Sequence, residues 1–159
     1  MDIFLEEHQQ MLMALVKHKV KFLLIGGYAV VYHGYRRTTG DMDIWLALGE
    51  ENKKNLLQAF REFGIDEDSL AEIDKTDFTK PQPVFYFGKE PRRIDFLTMV
   101  SNVKFDDAYR EANYIALENV QIPVIHYNHL ILSKLTSSRL KDKADIEELQ
   151  RINKYKKEQ

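Results

Sequence analysis

Apolar and polar positions along this 159-residue chain change period several times. Across Met1 to Lys17, Phe4, Leu5, Met11, Leu12, Leu15 and Val16 form a helical stripe, which predicts an amphipathic helix. Phe22-Leu23-Leu24-Ile25 is an unbroken apolar run of strand length, closed by Gly26-Gly27. Tyr28 to His33 reads as a short helix stopped at Gly34, and Asp43 to Leu48 as a strand. Glu51 to Phe63, with Leu56, Leu57, Phe60 and Phe63 on one side, predicts a helix ending at Gly64.

The middle of the chain is less regular. Asp66 to Asp77 is acidic and fits either a short helix or a loop, and Lys80-Pro81-Gln82-Pro83 breaks any regular element. Val84 to Phe87 and Arg93 to Leu97 read as two strands of a hairpin around Gly88 to Pro91. Phe105 to Ala112 has a helical pattern. Tyr114 to Leu117 and Gln121 to Ile125 pair as strands around Glu118-Asn119. From Asn128 onward two helices follow, one carrying Leu130, Ile131, Leu132 and Leu135, the other Ile146, Leu149 and Ile152, with Lys154 to Gln159 as a frayed end. The order of elements predicts an α/β (α+β) architecture: a mixed sheet covered by helices and closed by a C-terminal helical pair. It lacks the regular strand–helix alternation and the G-x-G-x-x-G spacing of a doubly wound dinucleotide-binding fold.

Composition narrows the setting. The length suits a single domain, residues 1–159, and 44% hydrophobic with 30% charged residues is ordinary for a globular protein. No apolar run is long enough to span a bilayer, and the acidic start Met1-Asp2-Ile3-Phe4-Leu5-Glu6-Glu7 does not read as a signal peptide. With no cysteine there are neither disulfides nor thiolate metal sites, which agrees with a cytoplasmic location. A net charge of −2 argues against a constitutive high-affinity nucleic-acid binder.

Chemistry concentrates around the first glycines. In Arg37-Thr38-Thr39-Gly40-Asp41-Met42-Asp43-Ile44-Trp45-Leu46, Asp41 and Asp43 are two apart at a strand start and fall on one face. Two acids so placed repel unless a cation lies between them, and an all-oxygen pair suits Mg²⁺. Asp95 lies in the apolar context Arg93-Ile94-Asp95-Phe96-Leu97, where a carboxylate is costly unless paired or ligating. If its strand neighbours that of the first pair, three carboxylates surround one or two Mg²⁺ ions. The alternative makes Asp95 a salt-bridge partner of Arg92 or Arg93. The Gly26-Gly27 turn into a helix exposes backbone N–H groups that suit phosphate.

These residues resemble the nucleotidyltransferase superfamily, whose fold is that of DNA polymerase β and of minimal bacterial nucleotidyltransferases. The pattern is a hydrophobic strand, Gly-Gly or Gly-Ser, a helix, Asp-x-Asp on the next strand and a third Asp on a later one. It falls here on Leu23 to Gly27, Tyr28 to His33, Asp41 with Asp43, and Asp95. The Arg37-Thr38-Thr39 lead-in is similar to nucleotidyltransferase toxins of AbiE-type abortive-infection systems. So are Leu130-Ile131-Leu132-Ser133-Lys134-Leu135 and Arg139-Leu140-Lys141-Asp142-Lys143-Ala144-Asp145-Ile146, so the likeness covers roughly residues 20–150. One departure is Gly27, where a serine is often found.

The resemblance implies that N–H groups at Gly26 and Gly27 hold the β- and γ-phosphates of a nucleoside triphosphate. Asp41 and Asp43 bind Mg²⁺, and Asp95 completes a second metal site or acts as base. Arg37, Thr39 and Lys134 join as nucleotide-binding residues, Arg37 either on phosphate or buttressing an aspartate, Lys134 either on phosphate or solvated. The implied acceptor is a tRNA, a protein or a small molecule. Its specificity comes from loops such as residues 66–83, a partner protein or a homo-oligomer, in a toxin–antitoxin-like setting for the toxin subgroup. A non-catalytic nucleotide-binding or protein-interaction module on the same fold is the alternative.

Overall fold

The computed structural model describes residues 3–81 and 85–158. Helix α1 (Glu6–Lys17) buries Met11, Leu12, Ala14 and Leu15 and presents Glu6 and Glu7 at its N-terminal end, where their charge complements the helix dipole. Strand β1 (Phe22–Ile25) runs without a loop into α2 (Gly26–Tyr32), so the helix begins at the first glycine rather than at Tyr28. Strand β2 (Met42–Leu46) stops two residues short of Leu48. Its antiparallel partner begins at Phe22, opposite Leu46, and one further backbone bond, Ala47 N–H to the Lys21 carbonyl at 3.1 Å, closes the pairing.

Helix α3 (Glu50–Phe63) ends at Gly64 in the left-handed region, and α4 (Glu67–Asp74) resolves the acidic stretch as a helix. Asp66 caps α4, accepting from the Ser69 N–H at 3.0 Å and from its hydroxyl at 2.7 Å. Strands β3 (Phe85–Phe87) and β4 (Ile94–Leu97) form the expected antiparallel hairpin; Gln82, Pro83 and Val84, expected to form a break and a strand start, lie outside the described residues. Helix α5 (Phe105–Arg110) precedes the β5 (Asn113–Leu117) and β6 (Val120–Val124) pair, and α6 (Tyr127–Lys134) and α7 (Leu140–Lys157) close the chain. Instead of fraying at Lys154, α7 continues to Lys157 with Lys154, Lys156 and Lys157 in its last turn, where cations oppose the helix dipole.

The strands form one mixed sheet in the order β3-β4-β2-β1-β6-β5. β1 is antiparallel to β2 and parallel to β6, while β2 is parallel to β4. The acids at the start of β2 and on β4 are therefore carried by interior strands. Their backbones are held by ladders on both sides, and helices on the two faces bury Phe22, Trp45, Phe60 and Phe96. Phe60 of α3 packs edge-on against Phe87 and Phe96 at 5.1 and 5.0 Å.

A buried histidine ties α1 to this arrangement. His8 Nε2 lies 3.0 Å from the Arg92 carbonyl, so it carries the proton, and Nδ1 accepts from the Tyr28 hydroxyl at 2.8 Å. One imidazole thus joins the first helix, the glycine-led helix and the approach to β4.

Candidate active site

Gly26 has φ +68°, and a Cβ there would overlap the Asp43 carboxylate; the turn admits only glycine because the acid is packed against it. At Gly27 a Cβ would overlap Thr39 Oγ1 instead. The absence of a serine at position 27 has a spatial counterpart: the Thr39 hydroxyl, arriving from the strand's approach segment, fills the place where that side chain would begin.

Asp43 and Asp95 are register partners on the parallel strands β2 and β4. Adjacent strands lie ~4.8 Å apart, so the two carboxyl groups stand side by side on one face. Burial first, then the adjoining Asp95 carboxyl and the charge of Asp41, push the Asp43 carboxyl up to about 7, while Lys134 opposes. Asp41, just ahead of β2, accepts from the Arg93 N–H at 2.8 Å through Oδ1. The Arg93 guanidinium forks onto Asp95, with Nε 2.7 Å from Oδ1 and Nη2 3.3 Å from Oδ2, and lies 4.8 Å over the Tyr86 ring. Thus the three acids adjoin, Asp95 has the arginine partner that was the alternative, and no ready-made three-ligand metal cage exists among the described residues. The donor set nonetheless fits a divalent cation, because a buried carboxyl pair with one pKa driven up by its neighbour is what an added positive charge relieves.

A cleft of about 400 Å³ opens over these groups, lined by Gly27, Thr39, Asp41, Asp43, Asp95 and Arg139, with Arg93, Glu90 and Lys141 at its wall. Arg37 and Lys134 are not among its lining residues, although Arg37 Nη1 lies 3.5 Å from where a Gly27 Cβ would be. Arg37 places Nε and Nη2 on the two oxygens of Asp145 at 2.9 and 3.1 Å, and Nη1 donates to the Thr38 carbonyl. Lys134 donates to Asp142 at 2.8 Å and lies 3.3 Å from Asp145, whose side chain is only 1% exposed. Both residues expected on the nucleotide therefore join a four-residue ion network between the approach to β2, α6 and the first turns of α7. Ser137 also donates to Asp142, at 2.6 Å. Burial raises the Asp142 pKa, but the bonds from Lys134 and Ser137 outweigh it and hold the carboxyl below its usual range.

Several other side chains settle into structural roles. Tyr28 is buried against His8 and does not line the cleft, and Trp45 is a core residue stacked edge-on with Phe105. His126 caps α6, accepting from the Asn128 N–H at 3.1 Å, and His33 Nε2 donates to the Ile125 carbonyl at 2.8 Å. The sequence pattern does not mark Lys141 as a cleft residue and offers Arg93 only as an alternative salt-bridge partner of Asp95. The signal for Arg93 was its spacing: two residues before Asp95, it shares that acid's face of the strand.

A six-stranded mixed sheet that brings Asp-x-Asp beside a third aspartate and a strand–Gly-Gly–helix turn defines a nucleotidyltransferase. A model of the family described as nucleotidyl transferase of unknown function (DUF2204) matches residues 4–159, and the chain belongs to that family. No curated protein sequence matches it. Among solved structures it is similar to the lincosamide antibiotic adenylyltransferase LnuA in its lincomycin-bound crystal structure. The TM-score is 0.55 at 19% identity, covering 94% of this chain and 98% of that one, which establishes the common fold. No helix among the described residues is long and apolar enough to cross a membrane.

Proposed function

We propose that this chain transfers a nucleoside monophosphate from a nucleoside triphosphate to an acceptor hydroxyl in a Mg²⁺-dependent reaction. The observation that carries the reading is the in-register placement of Asp43 and Asp95 on parallel interior strands, with Asp41 and the Gly26-Gly27 turn beside them. Asp41, Asp43 and Asp95 would hold one or two Mg²⁺ ions, whose charge would offset that of the triphosphate and favour attack at its α-phosphorus. Amide N–H groups at Gly26 and Gly27 receive phosphate oxygens, with the Thr39 hydroxyl beside them. The acceptor oxygen forms the new P–O bond as the bond to the β-phosphate oxygen breaks and pyrophosphate leaves. The acceptor's proton passes to a carboxylate of this set or to solvent. No covalent enzyme intermediate is required, since the chemistry rests on positioning and charge.

A small hydroxyl-bearing molecule is the acceptor class we favour. LnuA, a lincosamide antibiotic adenylyltransferase, shares this fold over 94% of this chain and 98% of its own, which supports an acceptor of that class. A net charge of −2 gives tRNA, and the toxin role that would go with it, less support. A cytoplasmic setting follows from the need for nucleoside triphosphate. A non-catalytic nucleotide-binding module is the second reading, favoured only by the Arg93 fork on Asp95.

The test is turnover of α-labelled ATP, CTP, GTP and UTP with Mg²⁺, offered small hydroxylic metabolites and antibiotics, total tRNA, or cell lysate, in wild type and Asp41→Asn/Asp43→Asn. Label transfer abolished by the double substitution supports the reading and its acceptor pool names the class. Triphosphate binding without transfer to any pool supports the module instead. Absence of both binding and transfer overturns the nucleotide reading.

A further inference from the structure

The cations expected on the triphosphate are neutralised where they stand. Arg37 and Lys134 share Asp145 and Asp142 in a buried two-plus, two-minus network, with the lysine side chain only 11% exposed. To contact a phosphate, Lys134 would have to leave one of two carboxylates that have little water to replace it. The cleft over Asp41, Asp43 and Asp95 is instead lined by Arg139, immediately before α7, and Lys141, in its first turn. The Arg139 side chain is 70% exposed and approaches one carboxylate, Asp142, at 3.8 Å, while Lys141 makes no ion pair among the described residues. Arg93, the remaining cation at the wall, is engaged by Asp95 and Glu90.

From this division we infer that Arg139 and Lys141 are the triphosphate-binding cations of this chain, and that Lys134 and Arg37 are positioning residues. The inference rests on the nucleotidyl-transfer reading and extends it. Thr38, Thr39 and Gly40, with Gly27, line the same cleft as Arg139 and Lys141. A polyanion held at the glycine turn thus shares one cleft with Lys141 and with Arg139, whose only ion pair among the described residues is the 3.8 Å approach to Asp142. The carboxylates below repel such a ligand unless counter-charge is supplied, and these are the cations free to supply part of it. The buried network acts separately, fixing the start of α7 and so the side of the cleft from which both cations project.

The experiment is calorimetric titration with inorganic tripolyphosphate and with ATP and CTP, all in Mg²⁺, on wild type, Arg139→Gln/Lys141→Gln and Lys134→Met. Thermal melting and circular dichroism verify the fold of each. The double variant is expected to melt like wild type and to bind tripolyphosphate about tenfold or more weakly. In turnover its triphosphate KM should rise more than its kcat falls. Lys134→Met is expected to melt lower and, below its melting range, to keep tripolyphosphate affinity within a few-fold. Wild-type-like affinity in the double variant overturns the inference while leaving nucleotidyl transfer intact. So does a folded Lys134→Met that has lost tripolyphosphate binding. If wild type itself binds neither tripolyphosphate nor nucleotide, the inference and the reading beneath it fall together.

Discussion

Arg93, immediately before β4, and Asp95 within it are joined by a fork, Nε to Oδ1 at 2.7 Å and Nη2 to Oδ2 at 3.3 Å. The same arginine donates its backbone N–H to Asp41, so one residue touches two of the three acids. A guanidinium there supplies the positive charge that a metal ion would otherwise provide. Arg93→Gln is therefore expected to bind Mn²⁺ several-fold more tightly than wild type in the absence of nucleotide, read by electron paramagnetic resonance. Unchanged or weaker binding would show that the arginine does not compete with the ion.

The fit between Gly27 and Thr39 makes a reciprocal prediction. Gly27→Ser forces its Cβ onto the Thr39 hydroxyl and should cost about 1–3 kcal/mol, measured by urea unfolding. Adding Thr39→Ala removes the obstructing oxygen and should recover most of that loss. A double-mutant cycle with no coupling between the two positions would refute the packing relationship.

The Asp43 carboxyl, raised to about 7 mainly by burial and Asp95, sets a pH dependence in the metal-free protein. In the unfolded chain it titrates near 3.9, so between about pH 4 and 7 the native state holds a proton that the unfolded state has lost. Stability from this group is therefore full below about pH 4, declines as pH rises through the folded value, and levels above it. Asp43→Asn cannot lose that proton. The melting temperature of the Asn variant minus that of wild type, in chelator, should grow from pH 4 to about 7 and then stay constant. A difference that does not change with pH would place the Asp43 carboxyl at its ordinary value.

Asp145 serves two cations from a buried position, and removing it leaves both under-paired. Asp145→Ala should destabilise the protein by about 3–5 kcal/mol in urea unfolding. Adding Arg37→Met should cost much less than the sum of the single changes, because the pair acts as one unit. Additive losses would mean that Arg37 gains its stability elsewhere.

Much of this arrangement was legible in the sequence, for identifiable reasons. An unbroken apolar run marked β1, an apolar run interrupted by Asp95 marked β4, and the Asp41–Asp43 spacing placed both acids on one face because strand side chains alternate. The register that sets Asp43 beside Asp95 was not legible, since strand order is a tertiary property that periodicity does not encode. The same limit governed the cations. Lys134 and Arg37 come from distant segments, and only the packing of α6 and α7 brings Asp142 and Asp145 to them. Lys141 carried no individual role in the sequence because its helix face could not be oriented from the pattern of α7, whose polar and apolar sides are weakly separated.

The interior position of β2 and β4 bears on how such a protein diversifies. With β1 and β3 on their outer flanks, the strands that space the acids do not pair with the far margin, β5, and the capped α4 lies outside the sheet, joining α3 to the hairpin. Substitutions or insertions along that periphery can redraw the surface an acceptor meets while the reaction centre passes unchanged from ancestor to descendant. Inheritance of the chemistry and drift of the substrate are thus assigned to different strands of one sheet.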